Sequence, residues 1–400
     1  MKSLTPGTAS PLARLTLVAL VGFAAISTDM YLSGIPQMAR DLGVGAAEGQ
    51  LTLSLFMIGF AFGQLLFGPL SDHFGRKPVA TVGIAIYALA SLGCALAPDI
   101  RVLLAGRLVQ GFAASAGPVI ARAIVRDRFH GVEAARVMSQ LAGAMAVIPL
   151  IAPVFGSWLL YVFDWRSQFL LLLGFGLFTL AGLRTLEESC PSIGVAPLAF
   201  SGVIAQFGRC LSRRAFVGFL LCGGSAFAAA FTWISSASWV VIELLGVPAQ
   251  DFGYTFMIAV SGYMGGALLS ARLVARFGVR GTLRLGVLVS LSGSLLMLAL
   301  ALGNMASLIP VLLGAVLCFL GSGLALSNAQ MGAISEFPMN AGGASAVFGF
   351  FQNFAGATAG WVVGQLWNAS LMPTALTMLG SSLLALAGYL TLYAGRREAA

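Results

Sequence analysis

Runs of about twenty apolar residues recur along the whole of this 400-residue chain. Each is long enough to cross ~30 Å of hydrocarbon as a helix, the form that satisfies its own backbone hydrogen bonds in lipid. The runs predict twelve spans, at about 12–35, 50–70, 79–97, 102–124, 136–161, 167–185, 215–241, 253–274, 282–302, 307–330, 343–367 and 374–394. The fifth and seventh are the longest and are expected to tilt or to run past the membrane surface. Only 9% of residues are charged and 58% are hydrophobic, against about 25% charged in water-soluble domains. A soluble fold is therefore excluded, and the expected class is an all-α integral membrane protein.

Charge sets the orientation. Placing the N-terminus inside puts 18 of the 22 Lys and Arg on inner connections, tails and adjoining span ends. Arg40, Arg101 and Arg166 fall outside and Arg107 falls within a span. This positive-inside pattern predicts both termini in the cytoplasm and accounts for the net charge of +8 without nucleic acid. The first apolar run is too long for a signal-peptide core and is expected to remain as a span. The odd number of cysteines, with Cys190 and Cys210 in an inner loop, speaks against a disulfide framework. His73 and His130 both fall in inner loops, so no metal site is expected.

One long connection, 186–214, separates an N-terminal six-helix bundle (1–185) from a C-terminal one (215–400). Within it Phe200, Val203, Ile204, Phe207 and Leu211 recur at helical spacing with Arg209, Arg213 and Arg214 between them. The pattern fits an amphipathic helix on the inner membrane surface, with an ordinary linker as the alternative. The halves are related. Gly63–Lys77 at the second span matches Gly266–Arg280 at the eighth at six of fifteen positions, and both end on a basic residue. A repeat at corresponding places in two six-span halves is expected of transporters that rock about a central site.

Two charges fall inside spans. A carboxylate near a bilayer centre costs roughly 2.5–3.5 kcal/mol, so Asp29 in the first span is expected to face a cavity or a partner. Asp29 lies seven residues before Pro36 and Arg107 six after Arg101, about 10 Å and 9 Å from the outer face at 1.5 Å per residue. Both therefore reach a similar depth. A nearby cation favours a carboxylate and desolvation favours its protonated form, so alternating between the two is one way to couple a proton to a shape change. A static buried pair serving helix packing is the other reading.

Gly68-Pro69-Leu70-Ser71-Asp72-His73-Phe74-Gly75-Arg76-Lys77-Pro78 has glycines for close packing and a turn, a carboxylate that can pair, and two cations that anchor the loop. It resembles the loop between helices two and three of the major facilitator superfamily. That resemblance implies two six-helix halves with pseudo-two-fold symmetry and a state-dependent latch at Gly68, Asp72, Gly75, Arg76 and Lys77. Asp29 to Pro36, Arg122 to Asp127, Asp164-Trp165-Arg166, Ser327-Asn328 and Glu336-Phe337-Pro338 are similar to bicyclomycin/chloramphenicol (Bcr/CflA-type) drug:proton antiporters, except that Ser33 stands where that family usually has proline. Gly106 to Gly111 is similar to the fourth-helix motif of proton-coupled members, which implies a coupling role for Arg107. Gly143, Pro149, Pro153 and Gly156 resemble the antiporter helix of drug exporters, with Ala152 and Ser157 where the general pattern has glycine.

The expected function is proton-driven export of small amphiphilic compounds of the chloramphenicol or bicyclomycin type from the bacterial cytoplasm across the inner membrane, by alternating access. Export of an endogenous metabolite, with incidental drug transport, is the alternative. Uptake fits the fifth helix less well, and a passive channel has no need of a coupled Asp29. No cluster of His, Asp or Glu at a membrane face suggests an enzyme. No Gly-x-x-x-x-Gly-Lys-Ser/Thr pattern suggests ATP, so the drive is the proton gradient with no cofactor. Tyr31, Gln110, Phe231, Trp233, Gln352 and Asn353 are the candidate substrate contacts, since aromatics with a few amides suit bulky, weakly polar molecules. The partners are then substrate, protons and the bilayer, and a monomer is expected.

Overall fold

The computed structural model describes residues 11–191, 193–194 and 200–394. The terminal tails, whose basic residues enter the charge count above, lie outside them. The first span combines α1 (Pro11–Asp29), a 3₁₀ turn (Leu32–Gly34) and α2 (Ile35–Asp41). Pro36, near the start of α2, has no N–H to return to Leu32, and the Leu32 carbonyl is met instead by the Ile35 N–H. There follow α3 (Ala46–Phe74), α4 (Arg76–Ala95), then α5 (Ile100–Ala114) and α6 (Ala116–Arg128), which together form one span. The first half ends with α7 (Gly131–Val162) and α8 (Arg166–Leu183). Helix α7 runs unbroken through Pro149 and Pro153.

After α9 (Phe200–Leu211) come α10 (Arg214–Ser238) with a π-helical turn (Trp239–Leu244), α11 (Phe252–Leu302), α12 (Leu308–Ser335), α13 (Ala341–Gln365) and α14 (Met372–Ala394). Ten helical segments among the described residues are long and apolar enough to cross a membrane. One is α11, whose 51 residues break at Gly278, where φ is 69°. It therefore supplies two crossings, because ~20 residues suffice for one. The 25-residue α13 is also long enough to cross but is less apolar, and it packs against α3 and α10. Counted this way, the described residues hold twelve helical stretches of membrane-crossing length.

Backbone geometry reports the repeat. Gly75 and Gly278 occupy equivalent positions, and both take positive φ (99° and 69°) to turn the chain between spans. Gly59 and Gly63 seat α3 against the backbone of α5, where a Cβ would overlap the Leu108 carbonyl and the Ser115 hydroxyl. Their equivalents Gly262 and Gly266 seat α11 against the Val316 and Leu320 carbonyls of α12 in the same way. Small residues at such crossings let transmembrane backbones approach closely, which is how helices gain packing energy in lipid.

Helix α9 lies at the bundle end that also carries the α3–α4 turn and Gly278, here termed the linker end. Its buried side is Gln206, Phe207 and Cys210, with Phe207 against Phe350 and Phe351 of α13. Ile204 and Leu211, expected on the same apolar face, are exposed. The side chains of Phe200 and Val203 lie outside the described residues.

Candidate functional site: a cavity between the two halves

A cavity of about 1100 Å³ lies between the halves and reaches the linker end, where Asp72, Arg76, Arg126, Gln206 and Asn340 line it. Its aromatic wall is Phe60, Phe227, Phe231, Phe256 and Phe319. At the opposite, far end the halves are in contact. Gly253 on α11 packs on the α7 backbone, and a Cβ there would stand 2.5 Å from Val154 Cα. The Gly253 N–H donates to Ser157 Oγ at 3.0 Å, and Trp158 Nε1 donates to the Tyr254 hydroxyl at 3.1 Å. On the other side Gly364 and Gly360 of α13 close on Gln50 and Ser54 of α3, and Ser235 donates to Gln50 Oε1 at 3.4 Å. An ion pair joins Arg40 to Glu243 across the same end. Nearer the linker end, Asn353 Nδ2 still donates to Gln64 Oε1 at 2.9 Å, but one turn further along α3 a Cβ on Gly68 would meet open space.

Asp29 closes α1 on the cavity wall, 5% exposed. The Thr28 hydroxyl lies 2.9 Å from Asp29 Oδ1 and can donate to it, and no ion pair holds Asp29 among the described residues. Arg107 is at a similar level but on the other side of α1, packed wholly inside the first half. Its Nη1 donates to the Ser27 carbonyl at 3.2 Å and to Gln110 Oε1 at 2.6 Å, and its Nε donates to the Thr52 carbonyl at 3.3 Å. The guanidinium carbon sits 4.5 Å from the Tyr31 ring centre and 4.4 Å from that of Phe56, so π faces rather than a carboxylate supply its local negative potential. Arg107 is thus fastened to the α1 backbone two residues from Asp29 without pairing with it.

Of the substrate candidates, Phe231, Gln352 and Asn353 line the cavity. Tyr31, Gln110 and Trp233 do not. All three are fully buried: Tyr31 bonds the Thr52 hydroxyl, and Gln110 Nε2 donates to Ser91 Oγ at 2.8 Å. Of the antiporter-helix residues, Pro149 lines the cavity, the Pro153 carbonyl faces Gly253 at the far-end seam, and Gly156 packs on the Met30 carbonyl. The cavity also involves two residues outside the candidate coupling and substrate set: Gln64, which bonds Asn353, and Arg122, which opens the Arg122 to Asp127 motif and lines the cavity.

The loop motif forms an ion-pair network inside the first half. Arg76 bridges Asp72 on α3 and Asp127 at the end of α6 (2.9 Å), and its Nη1 donates to Ser71 Oγ at 2.7 Å. Glu188, past the end of α8, caps α4 by accepting from the Arg76 and Lys77 N–H groups at 2.9 and 3.0 Å. It also accepts from the Ser189 and Cys190 N–H groups, both at 2.8 Å. Burial alone would push its carboxyl up, but these four donors prevail and hold it below the usual glutamate range. Gly75 is needed here twice over: for its positive φ, and because a Cβ would stand 2.7 Å from Glu188 Oε2.

Residues 17–360 match the family profile described as Major Facilitator Superfamily. The MFS-type transporter YdgK of Bacillus subtilis is 33% identical over 88% of this chain and 89% of its own. The bicyclomycin resistance protein homolog of Haemophilus influenzae is 29% identical over 91% and 92%. The multidrug resistance protein MdtL of Klebsiella pneumoniae is 31% identical over 84% and 83%. Among solved structures, the nucleoside transporter NupG aligns over 95% of this chain and 99% of its own, with a TM-score of 0.74 at 16% identity. The Escherichia coli xylose transporter XylE, in a partially occluded inward-open conformation, aligns over 96% and 97% with a TM-score of 0.71 at 14% identity. With its fold, its cavity and these relatives agreeing, the chain is a multi-pass membrane transporter rather than an enzyme, and it belongs to the Major Facilitator Superfamily.

Proposed function

We propose that the chain is a proton-driven antiporter that exports small amphiphilic compounds, of the chloramphenicol or bicyclomycin type, from a bacterial cytoplasm. The observation that carries this reading is the cavity itself: aromatic on one wall, closed at one end, with the Asp29 carboxyl on its surface and no cation paired to it among the described residues. Aromatic walls with few polar groups suit bulky ligands of low polarity. The relatives named for bicyclomycin and multidrug resistance point the same way.

The excess of Lys and Arg at the linker end supports a cytoplasmic position for it. The cavity is then open inward, and the seam at Arg40–Glu243, Ser157–Gly253 and Gln50–Gly364 is the outer gate. Alternating access requires that seam to part while Gly68 and the α3–α4 turn close on the second half. In the inward state Asp29 releases its proton through the cavity and ligand takes the apolar wall. In the outward state ligand leaves and Asp29 is protonated from the more acidic side. Arg107, fastened to Ser27, Thr52 and Gln110, holds the Asp29 segment of α1 in register through the motion. At roughly 150 mV one proton supplies about 3.5 kcal/mol, enough for a few-hundred-fold gradient of a neutral ligand.

Everted membrane vesicles test the reading. Labelled chloramphenicol should accumulate when the vesicle interior is made acid, and a protonophore should abolish the accumulation. Accumulation insensitive to the protonophore would remove the proton from the account.

A further inference from the structure

Among the described residues, five charged side chains line the cavity, and the first half supplies all of them: Asp29, Asp72, Arg76, Arg122 and Arg126. Asp72 and Arg76 neutralise one another, and Arg126 has Asp127 at 4.0 Å. Asp29 and Arg122 are left without an ion-pair partner among the described residues. For Asp29 the transport cycle gives a reason. For Arg122 it gives none.

A guanidinium carries its charge at all accessible pH, and Arg122 holds it at the linker end of its span without an ion-pair partner among the described residues. Arg122 Nε donates to the Pro118 carbonyl at 2.9 Å, which fixes the side chain on α6. The side chain is exposed, and the surface it is exposed to is the cavity, unlike Arg272 and Arg276, which are exposed but line no part of it. The planar fork of nitrogens matches two oxygens of a carboxylate or phosphate. Among the described residues, the second half contributes to the lining aromatic rings and the amides of Gln330, Asn340, Gln352 and Asn353, and no charge.

We propose that Arg122 is a recognition residue for anions, and that the ligands this cavity favours are amphiphiles carrying a carboxylate or phosphate on an aromatic body. The proposal deepens the export reading and rests on it, since it takes the cavity to be the route of the transported molecule. Gly117 of α6 packs on the Leu20 carbonyl of α1, which puts Arg122 and Asp29 roughly 20 Å apart along the bundle at 1.5 Å per residue. At that separation an anion held by Arg122 makes no direct contact with the Asp29 carboxyl. Arg122 therefore selects at the vestibule, and Asp29 couples deeper in.

Binding of 3-(2-naphthyl)propionate and of its carboxamide to the full-length protein tests this, read calorimetrically in phosphatidylcholine nanodiscs without a proton gradient. The carboxylate should bind at least about tenfold tighter than the amide in the wild type, the scale of a charge-assisted hydrogen-bond pair. The preference should vanish in Arg122→Gln and return in part in Arg122→Lys. Equal affinities in the wild type, or a preference that survives Arg122→Gln, overturns the proposal. Repeating the titration with phosphatidylglycerol in the disc separates two sources of the anion: weakened carboxylate binding identifies a lipid headgroup, and unchanged binding identifies a soluble ligand. Because no gradient is used, failure here leaves the antiport reading intact, and failure of proton coupling alone leaves the binding result readable by itself.

Discussion

Arg40 and Glu243 are 203 residues apart in sequence and joined in an ion pair across the far end of the bundle. The same interval separates Gly63 from Gly266 and Gly75 from Gly278, so the pair links equivalent positions of the two halves. Repeat-related residues meet where the halves meet, at the ends of their first helices. Exposed pairs of this kind contribute about 0–1 kcal/mol, enough to shift a conformational equilibrium up to roughly fivefold. Arg40→Glu should open the far end, read as faster labelling of Ser54→Cys by an impermeant maleimide added from the outside. The swapped pair Arg40→Glu with Glu243→Arg should restore the wild-type rate.

Two glycines separate gating from folding. Gly253 packs on α7 across the seam between halves, whereas Gly111 packs on the Phe56 carbonyl within one half. Gly253→Val should block far-end closure and raise the same labelling rate, with little change in thermal stability. Gly111→Ala should cost about 1–3 kcal/mol of stability, because both backbones at its crossing are fixed. Thermal unfolding of the purified variants beside the labelling assay distinguishes the two outcomes.

Arg107→Lys keeps the charge and loses the fork. Lysine cannot reach the Ser27 and Thr52 carbonyls together while lying between the Tyr31 and Phe56 rings. The variant should lose on the order of 2 kcal/mol, the worth of one charge-assisted hydrogen bond. A thermal shift close to wild type would contradict the geometry described.

The Glu188 cap predicts a pH dependence. Its carboxyl is held below the usual glutamate range in the folded protein, so its stabilising contribution is complete above that range. The contribution is lost as pH falls below about 4 and through the depressed value. Hydrogen exchange at the Arg76 and Lys77 amides should accelerate over that window. Glu188→Gln should show part of the acceleration already at pH 7.

Depth was legible in the sequence and azimuth was not. Counting residues from Pro36 and Arg101 put Asp29 and Arg107 at one level, and Arg107 indeed bonds the Ser27 carbonyl. The count says nothing about rotation about the α1 axis, and it is rotation that turns Asp29 to the cavity and Arg107 into the first half. For the same reason Tyr31, Gln110 and Trp233 were grouped with Phe231 and Gln352 although only the latter two of these five line the cavity. The spans were legible because hydropathy reports membrane length directly, and the Gly278 break fell in the gap between the eighth and ninth runs. In α9 Gln206 and Cys210 take the side buried against the bundle, whereas Ile204 and Leu211 are exposed, as the apolar side of a helix lying on a membrane surface would be. The Arg40–Glu243 pair could have been found by extending the repeat beyond its glycines. Glu188 carried no signal, since a capping carboxylate after a distant helix depends on how the chain returns.

Two fluxes measured on one preparation decide whether Asp29 carries the transported proton. Wild type and Asp29→Asn would be reconstituted at matched density and assayed for chloramphenicol counterflow at equal pH and for drug-dependent proton release under an imposed gradient. Asp29→Asn should keep counterflow, because the cavity and its gates are intact, and lose proton release. Undiminished proton release in Asp29→Asn would contradict that role and place the coupling site elsewhere in the cavity.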